Sequence, residues 1–422
     1  MQIIIVGGGA AGFEAAATCR TRWPDKAVTL IDTENEAGYY RTLLPQFMVG
    51  ALAEDKLFFH RSDTDPLLTV RTGVRAKTLD RVARRLVLAT GEALTYERLI
   101  LAHGGDPYLP GILAGPPARG IFPVRDLTTA RSAKTWLATH RNVIVFGGSL
   151  VGVKTAVHLR QAGFSVSIVV RRGHILLRAL SPESAEVVEG HMREMGIRVA
   201  VNSPLEDIRV EQGAIAGIKA GGTWLSGTTL FVAAGVAPDI AFLEGTDLLT
   251  DGQLVVSPAL QTADPRIFAA GDVAVIGAAG GASISPNTWP QAVSQGRTAA
   301  ENLYRKTPVP HRDLTRINAM ELDGLAMVIL GPPVDGGEVM SYARPDERVR
   351  RELFLVGGKP VGGALIGDIS AAGTLRALIN AGREITPADA ALLRPLSRRV
   401  IPFPDHRGLR EALILSSARL KV

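Results

Sequence analysis

An α/β fold with two parallel-sheet domains and a smaller third one is what the 422 residues predict, and three observations carry that prediction. The chain opens with an apolar run, QIIIVG, that breaks into glycines and then an alanine-rich stretch. A second run, NVIVFGG, does the same 140 residues later, from Asn142. Neither run alternates strictly between apolar and polar residues, which marks strands covered on both faces, as in a parallel sheet flanked by helices. A repeat on this scale is a duplicated domain and not a solenoid period.

The composition agrees with a soluble globular protein of two or three domains: 46% apolar and 21% charged residues over a length too great for one ordinary core. The formal charge of +6 is modest, and no Lys/Arg block is interleaved with aromatics, so nucleic acid is not an expected partner. The longest weakly polar stretch, VAVIGAAGGASIS, falls short of the ~20 apolar residues a spanning helix needs, so no transmembrane segment is expected. The first strand begins at the start of the chain and leaves no room for a cleavable signal, so a cytoplasmic enzyme is expected. One cysteine, Cys19, cannot by itself make an intrachain disulfide, a four-cysteine zinc site or an iron-sulfur cluster. On the helix after the first turn it reads as a buried packing residue, and no metal site is expected.

From the N-terminus the order is strand, a helix from about Gly12 to Arg22, and a strand AVTLID ending in an acid, followed by hairpin-like material from Val70 through YERLILAHGG. GILAGPPARG reads as a linker. A second strand-helix-strand unit starts at Asn142, and SPESAEVVEGHMREMG then begins as a capped helix with Pro at its first position. A short β meander ends at TLFVAAGVAP, RIFAAGDVAV is strand-like, and a helix runs from about Pro290 to Tyr304. KTPVPHRD reads as another linker, and the last hundred residues alternate strand and turn before two short helices.

Gly7, Gly9 and Gly12 form G-x-G-x-x-G between a strand and a helix, with Asp32 at the end of the next strand, twenty residues past Gly12. The first glycine makes the turn, the second admits a pyrophosphate to the backbone, and the third lets helix and strand pack closely. Amides at the helix start, around Ala10 and Ala11, face the phosphates, while the Asp32 carboxylate beside Thr33 accepts from ribose hydroxyls. The alternative is a packing turn without a ligand.

The second turn repeats the pattern as Gly147, Gly148, Ser149, Leu150, Val151 and Gly152, with small Ser149 at the middle position. Its following strand ends differently. Val170 stands where the first unit has its acid, and Arg171 and Arg172 follow, with Arg178 as a further cation. An acid there would repel a 2′-phosphate and a guanidinium would pair with it, which favours NADPH, with NADH possible. A solvated basic loop is the alternative.

At this point residues 1 to about 310 resemble the FAD-dependent pyridine nucleotide reductases of the glutathione reductase type. Two further segments carry the resemblance: LTYERLILAHGGDPYLP looks like the segment that closes on FAD between the domains, and TADPRIFAAGDVA looks like the late FAD motif. The resemblance implies two Rossmann-like dinucleotide-binding domains (FAD and NAD(P)H) plus a smaller C-terminal α+β domain. These are expected at 1–112 with 236–310 for FAD, 113–235 for NAD(P)H, and 311–422 for a C-terminal interface domain and tail. It implies FAD contacts by Val74, Ala102, Gly104, Gly271 and Asp272, the last toward the ribityl or pyrophosphate region, and a nucleotide contact by Gly235. YYRTLLPQFMVG resembles the disulfide-free branch that includes rubredoxin and ferredoxin reductases and the flavoprotein part of NAD(P)H nitrite reductases, and there Arg41 falls on the FAD phosphates or near the flavin. RELFLVGGKPVGGALIGD resembles that branch's third domain, which packs near the flavin or forms a dimer contact.

The sequence departs from the pattern in two places. His103 replaces the usual threonine, and lies either near FAD or as a hydrogen-bonded structural histidine. Many relatives pair a lysine with a glutamate beside the flavin, where this chain has Gln46 and Lys154. Lys154 then either stabilises negative charge developing on reduced flavin, as the expected catalytic group, or snorkels into solvent.

The implied reaction carries hydride from nicotinamide to flavin and electrons on to an external acceptor, because this chain holds no disulfide or iron-sulfur centre. An iron-sulfur electron-transfer protein is the expected acceptor, and the basic surplus from Arg383 to Lys421, eight Lys/Arg against four acids, would steer an acidic partner. The alternatives are an NAD(P)H oxidase using oxygen or a quinone, and a flavin-bearing subunit of a larger redox complex with little turnover alone. A homodimer is a further possibility.

Overall fold

The structure, a computed structural model, describes residues 2–59, 65–113, 118–277, 283–284 (backbone alone), 288–312 and 317–394. Most of the basic C-terminal stretch, including Arg398, Arg399, Arg407, Arg410, Arg419 and Lys421, lies outside the described residues, as do parts of both linkers and of VAVIGAAGGASIS.

The chain begins with β1 (Gln2–Val6), α1 (Ala10–Arg22) and β2 (Val28–Ile31). It continues with α2 (Leu44–Met48), β3 (Leu68–Arg71), β4 (Ala76–Asp80), β5 (Arg85–Leu88) and β6 (Ala93–Leu101). The strands lie in the order β3-β2-β1-β6-β5-β4, with β1 parallel to both β2 and β6. Ile3, Ile4 and Ile5 are all fully buried, so both faces of β1 are covered, as its unbroken apolar run predicts. The hairpin-like material read from Val70 begins six residues later, at Ala76. β3 is parallel to β2, and the antiparallel pairs are β4 with β5 and β5 with the first half of β6. Local patterning shows that a strand exists but not which neighbour it pairs with.

β7 (Gly105–Pro107) leads through β8 (Ile121–Pro123), α3 (Leu127–Leu137), β9 (Asn142–Phe146), α4 (Leu150–Gln161) and β10 (Ser165–Val169) to α5 (Pro182–Glu194). β11 (Arg198–Ala200), β12 (Leu205–Glu211), β13 (Ala214–Ala220), β14 (Thr223–Ser226) and β15 (Thr229–Val232) follow. A second sheet has the order β11-β10-β9-β15-β8 and is parallel throughout. The meander is β12-β13-β14 alone. β15, read as its end, leaves it to join β9. Ser181 caps α5, accepting from Ser184 N at 3.1 Å, with Pro182 at the first position.

β16 (Val236–Pro238) pairs antiparallel with β7 and so returns the chain toward the first sheet. β17 (Leu249–Thr250), β18 (Gln253–Val256), β19 (Ile267–Ala269), β20 (Ala274–Gly277), β21 (Ser283–Ile284) and α6 (Trp289–Asn302) come next. β19 pairs parallel with β6 and completes the first sheet. α6 lies against α1 so closely that a Cβ on Gly296 would stand 2.1 Å from the Ala11 carbonyl oxygen.

The last region holds β22 (Ile317–Leu322), β23 (Leu325–Leu330), β24 (Glu338–Arg344), β25 (Val349–Val356), β26 (Lys359–Ile366), α7 (Ala372–Ala381) and α8 (Pro387–Ala391). Its antiparallel sheet, β22-β23-β26-β25-β24, buries Leu353 and Leu365 under α7 on one face. On the other, Leu322, Met327 and Phe354 join one core with Val153 and Ala156 of α4 and Leu180 before α5.

The α1–α6 contact generates a stability test. Gly296→Ala forces two helices apart and should cost about 1–3 kcal/mol in denaturant unfolding. Gly190→Ala on α5, where a Cβ meets nothing within 4 Å, should be neutral or stabilising by up to about 1 kcal/mol.

Candidate functional site

Gly7 has φ +107°, and a Cβ there would lie 2.3 Å from the Ala102 carbonyl oxygen. A Cβ on Gly12 would stand 1.8 Å from the Gly7 carbonyl oxygen. Strand, turn and helix therefore approach to a distance only glycine permits. Gly9 caps α1 with no side-chain acceptor for the first amides, and a Cβ on it would meet nothing within 4 Å, so the amides from Ala10 and Ala11 lack a capping side chain. The buried Asp32 carboxylate accepts from Gly8 N at 2.7 Å and Glu34 N at 3.1 Å. Val74 N donates to the Asp32 carbonyl at 2.8 Å, which brings Val74 to this edge, while Thr33 is exposed.

Around that turn the fold gathers buried charge. Arg41 donates to Tyr39 Oη at 2.8 Å and to the Arg125 carbonyl at 3.0 Å, and pairs with Glu34 at 2.5 Å. Burial disfavours its charge, but Tyr39, Glu34 and Asp32 outweigh it and keep the guanidinium protonated. Burial and then the neighbouring Arg41 lower the pKa of Arg125, against the pull of Asp272. Burial raises the Asp272 carboxyl, with Arg125 and Arg41 opposing. The Arg125–Asp272 separation is 3.5 Å, and Arg125 Nη2 lies 2.9 Å from where a Gly104 Cβ would be. Gly271 N donates to Gln295 Oε1 at 2.9 Å, which fixes the turn before Asp272. Two mutually repelling, largely buried guanidiniums beside a helix start with uncapped amides suit a dianionic pyrophosphate, so the residues present fit FAD. Sequence reading missed Arg125, Tyr39 and Glu34. The one local signal was a lone Arg before the Asp126 cap of α3.

The second turn copies the first. Gly147 has φ +123° with a Cβ position 2.3 Å from the Ala233 carbonyl oxygen, and Gly152 would meet Gly147 O at 2.0 Å. Gly8 and Gly148 mark the divergence: a Cβ on Gly8 would meet Asp32 Oδ2 at 2.3 Å, whereas on Gly148 it would meet Val170 Cγ2 at 2.9 Å. Val170 thus occupies the acid's place in space. Arg171, Arg172 and Arg178 are exposed and have no ion pair among the described residues. Ser149 does more than stay small, because its hydroxyl accepts from Gly152 N at 3.4 Å and donates to Ala233 O at 3.2 Å. Leu150 and the exposed Val151 follow it on α4. Gly235, at φ +116°, has open space above it and accepts from Tyr108 N at 2.9 Å.

Lys154 is half-buried on α4 with no carboxylate partner among the described residues, and burial lowers its pKa. The structure therefore does not place it freely in solvent. Gln46 sits on α2, which packs against α4. Ala102 is buried and donates to Val6 O at 2.7 Å. Neither ring nitrogen of His103 has a hydrogen-bond partner among the described residues, and its ring meets Phe242 edge-on at 4.9 Å. Burial pushes His103 down to about 4, with Asp239 pulling weakly the other way. Cys19 is fully buried and its thiol is pushed up to about 12 by burial, with Arg20 opposing, so it is a packing residue. Among the described residues no His/Cys/Asp/Glu cluster could hold a metal, and no helix is long and apolar enough to cross a membrane.

Comparison with known proteins fits this geometry. The family model described as pyridine nucleotide-disulphide oxidoreductase matches residues 1–296. The chain is 26% identical over 394 residues to an NADH oxidase of Methanocaldococcus jannaschii, covering 87% of this chain and 88% of that one. It is 23% identical over 396 residues to an NADH-rubredoxin oxidoreductase of Clostridium acetobutylicum, covering 93% and 98%. Among solved structures it resembles the reductase fold in a covalent putidaredoxin reductase-putidaredoxin complex, with a TM-score of 0.86 at 20% identity over 99% of each chain.

His103 makes stability pH-dependent. Its folded pKa of about 4 lies below the ordinary 6.5, so its contribution is fully present above pH ~6.5 and is lost as the pH falls toward 4. His103→Leu should remove up to roughly 3 kcal/mol of that acid-side decline in denaturant unfolding. An unchanged difference between variant and parent from pH 7 to pH 4 would count against a neutral buried imidazole.

Proposed function

Since the chain belongs to the pyridine nucleotide-disulphide oxidoreductase family, we propose that it draws reducing equivalents from NADPH in preference to NADH and delivers them through FAD to a separate electron-transfer protein, of iron-sulfur type. It is an FAD-dependent NAD(P)H oxidoreductase without a redox-active disulfide, its one cysteine being buried. The carrying observation is the pair of glycine turns with one geometry and opposite chemistry at the following strand end: Asp32 at the first, Val170 with Arg171 and Arg172 at the second.

Residues 1–112 and 236–310 are assigned to the FAD domain, 113–235 to the NAD(P)H domain and 311–422 to the C-terminal domain. In this assignment the amides from Gly9 to Gly12 and the guanidiniums of Arg41 and Arg125 hold the FAD pyrophosphate, Asp32 and Val74 border its adenosine, and Asp272 faces the ribityl chain. Ala102, His103 and Gly104 form the floor beside it. The amides of Gly148 to Gly152, with Gly235 opposite, receive the nicotinamide dinucleotide, and Arg171, Arg172 and Arg178 take its 2′-phosphate. Bound flavin supplies the acceptor for hydride and the release of electrons one or two at a time. The protein contributes orientation and charge. Lys154, a half-buried ammonium without a carboxylate partner among the described residues, favours negative charge at the site where the rings meet.

A second reading is supported by the M. jannaschii relative, whose name is NADH oxidase: oxygen as the acceptor. Anaerobic mixing of the yellow protein with NADPH should bleach the flavin, whereas a subunit without turnover of its own would keep its absorbance. Readmitting air restores the colour in seconds for an oxidase and slowly for a reductase that needs a protein acceptor.

Arg172→Glu should weaken NADPH binding about 10- to 100-fold, the worth of a charge-assisted hydrogen bond, while changing NADH binding little. Equal effects on both nucleotides would overturn the 2′-phosphate assignment. Lys154→Met should make the two-electron flavin potential more negative by about 30 mV, equivalent to ~1.4 kcal/mol. An unchanged potential would remove Lys154 from the site.

A further inference from the structure

The loop from Arg171 to Leu180 carries all three proposed phosphate-binding arginines, and it is held by groups outside its own sheet. Gly173 N donates to Asn202 Oδ1 at 2.7 Å, Ile175 N to Glu189 Oε1 at 3.2 Å, and Leu176 N to the Gly148 carbonyl of the nucleotide turn at 2.7 Å. Leu176 adopts φ +54°, a conformation a leucine keeps only when its surroundings impose it. Ile175, Leu176 and Leu180 are buried in the core that Leu322 and Phe354 of the C-terminal sheet share.

The loop ends at Ser181, whose hydroxyl donates to Glu352 Oε1 of β25 at 2.7 Å while accepting from Ser184 N. Glu352 is 0% exposed. Arg350 Nε also donates to Glu352 Oε1, at 2.6 Å, and Arg350 lies 3.8 Å from Glu183 of α5. Glu352 Oε2 has no partner among the described residues, nor has the Ser184 hydroxyl one turn further along α5. A buried carboxylate with one oxygen unsatisfied is a costly way to join two surfaces, because desolvation outweighs most of what the ion pair returns. An apolar side chain of similar size would hold the same faces together at lower cost. What the carboxylate adds is direction, since it fixes the Ser181 hydroxyl and so the angle at which the loop enters α5.

We propose that Glu352 is a positioning residue for coenzyme selectivity: from the C-terminal sheet, through Ser181, it sets the path of the four residues between Leu176 and Ser181 and so the aim of Arg178 at a 2′-phosphate. This rests on the 2′-phosphate reading above. It makes selectivity a property of two domains, with the C-terminal sheet acting on the nucleotide without touching it.

The test uses FAD-loaded full-length protein and calorimetric titration with adenosine 2′,5′-bisphosphate and, separately, 5′-AMP. Glu352→Leu and Ser181→Ala should each weaken the bisphosphate about tenfold, a 1.4 kcal/mol effect, and change 5′-AMP less than about twofold. Ser181→Thr, which keeps the hydroxyl, should bind as the parent does. The double variant should lose no more than either single one, as residues acting through one contact do. Arg172→Glu run alongside separates the two failures. If it abolishes the bisphosphate preference while Glu352→Leu and Ser181→Ala keep it, the positioning role is overturned and the phosphate site stands. If Arg172→Glu also keeps the preference, the phosphate reading falls and takes this inference with it. Should Glu352→Leu fold poorly, Ser181→Ala against Ser181→Thr decides alone.

Discussion

The architecture depends on two places where a helix begins almost in contact with the strand before it. At Gly7 and Gly12, and again at Gly147 and Gly152, the backbone passes within a distance that excludes any Cβ. That closeness gives each helix its direction, and the first amides of α1 and α4 have no acceptors within their own helix. A helix start of this kind is a standing demand for negative charge. The parallel sheets, the small residues on α1 and the packing of α6 against it are the arrangement that lets the approach happen twice in one chain.

Charge then divides the labour between two cradles of the same shape. Around the first, Asp32 spends one oxygen on Gly8 and the fold adds Arg41 and Arg125, two guanidiniums close enough to disfavour each other in a largely buried setting. Around the second, the strand end carries no acid where the first has Asp32. Val170 closes the space behind Gly148 and the arginines stay exposed at the rim. The C-terminal sheet meets the loop behind the second turn through a buried carboxylate and a shared core.

What the sequence disclosed followed from how local each signal was. The glycine turns, the strand-helix-strand units, Asp32, Val170 and the Ser181 cap are contained within about thirty residues, and the structure has them where the residues say. Helix ends moved by two residues or so, with α1 starting at Ala10 and α6 at Trp289, because glycine and proline near a boundary mark it only approximately. Long-range pairing was not legible. β3 joins β2 in parallel, and β15 abandons a meander for the parallel sheet, since burial on both faces and alternation describe a strand without naming its neighbour. The Arg41–Tyr39–Glu34–Arg125 network and the Ser181–Glu352 contact join residues up to 171 apart. His103 stood out as a departure from the family pattern, yet only the fold shows its ring packed edge-on against Phe242.

The central claim is that paired main-chain cradles, one reinforced by Arg41 and Arg125, hold two pyrophosphates. A crystal structure of the protein with FAD and NADP+ both bound tests it most directly. One pyrophosphate should lie on the amides from Gly9 to Gly12 with at least one of the two guanidiniums turned onto it, and a second on the amides from Ser149 to Gly152. Ligand density at either helix start occupied by anything else, or Arg41 and Arg125 both still bound only to Glu34 and Asp272, would contradict it.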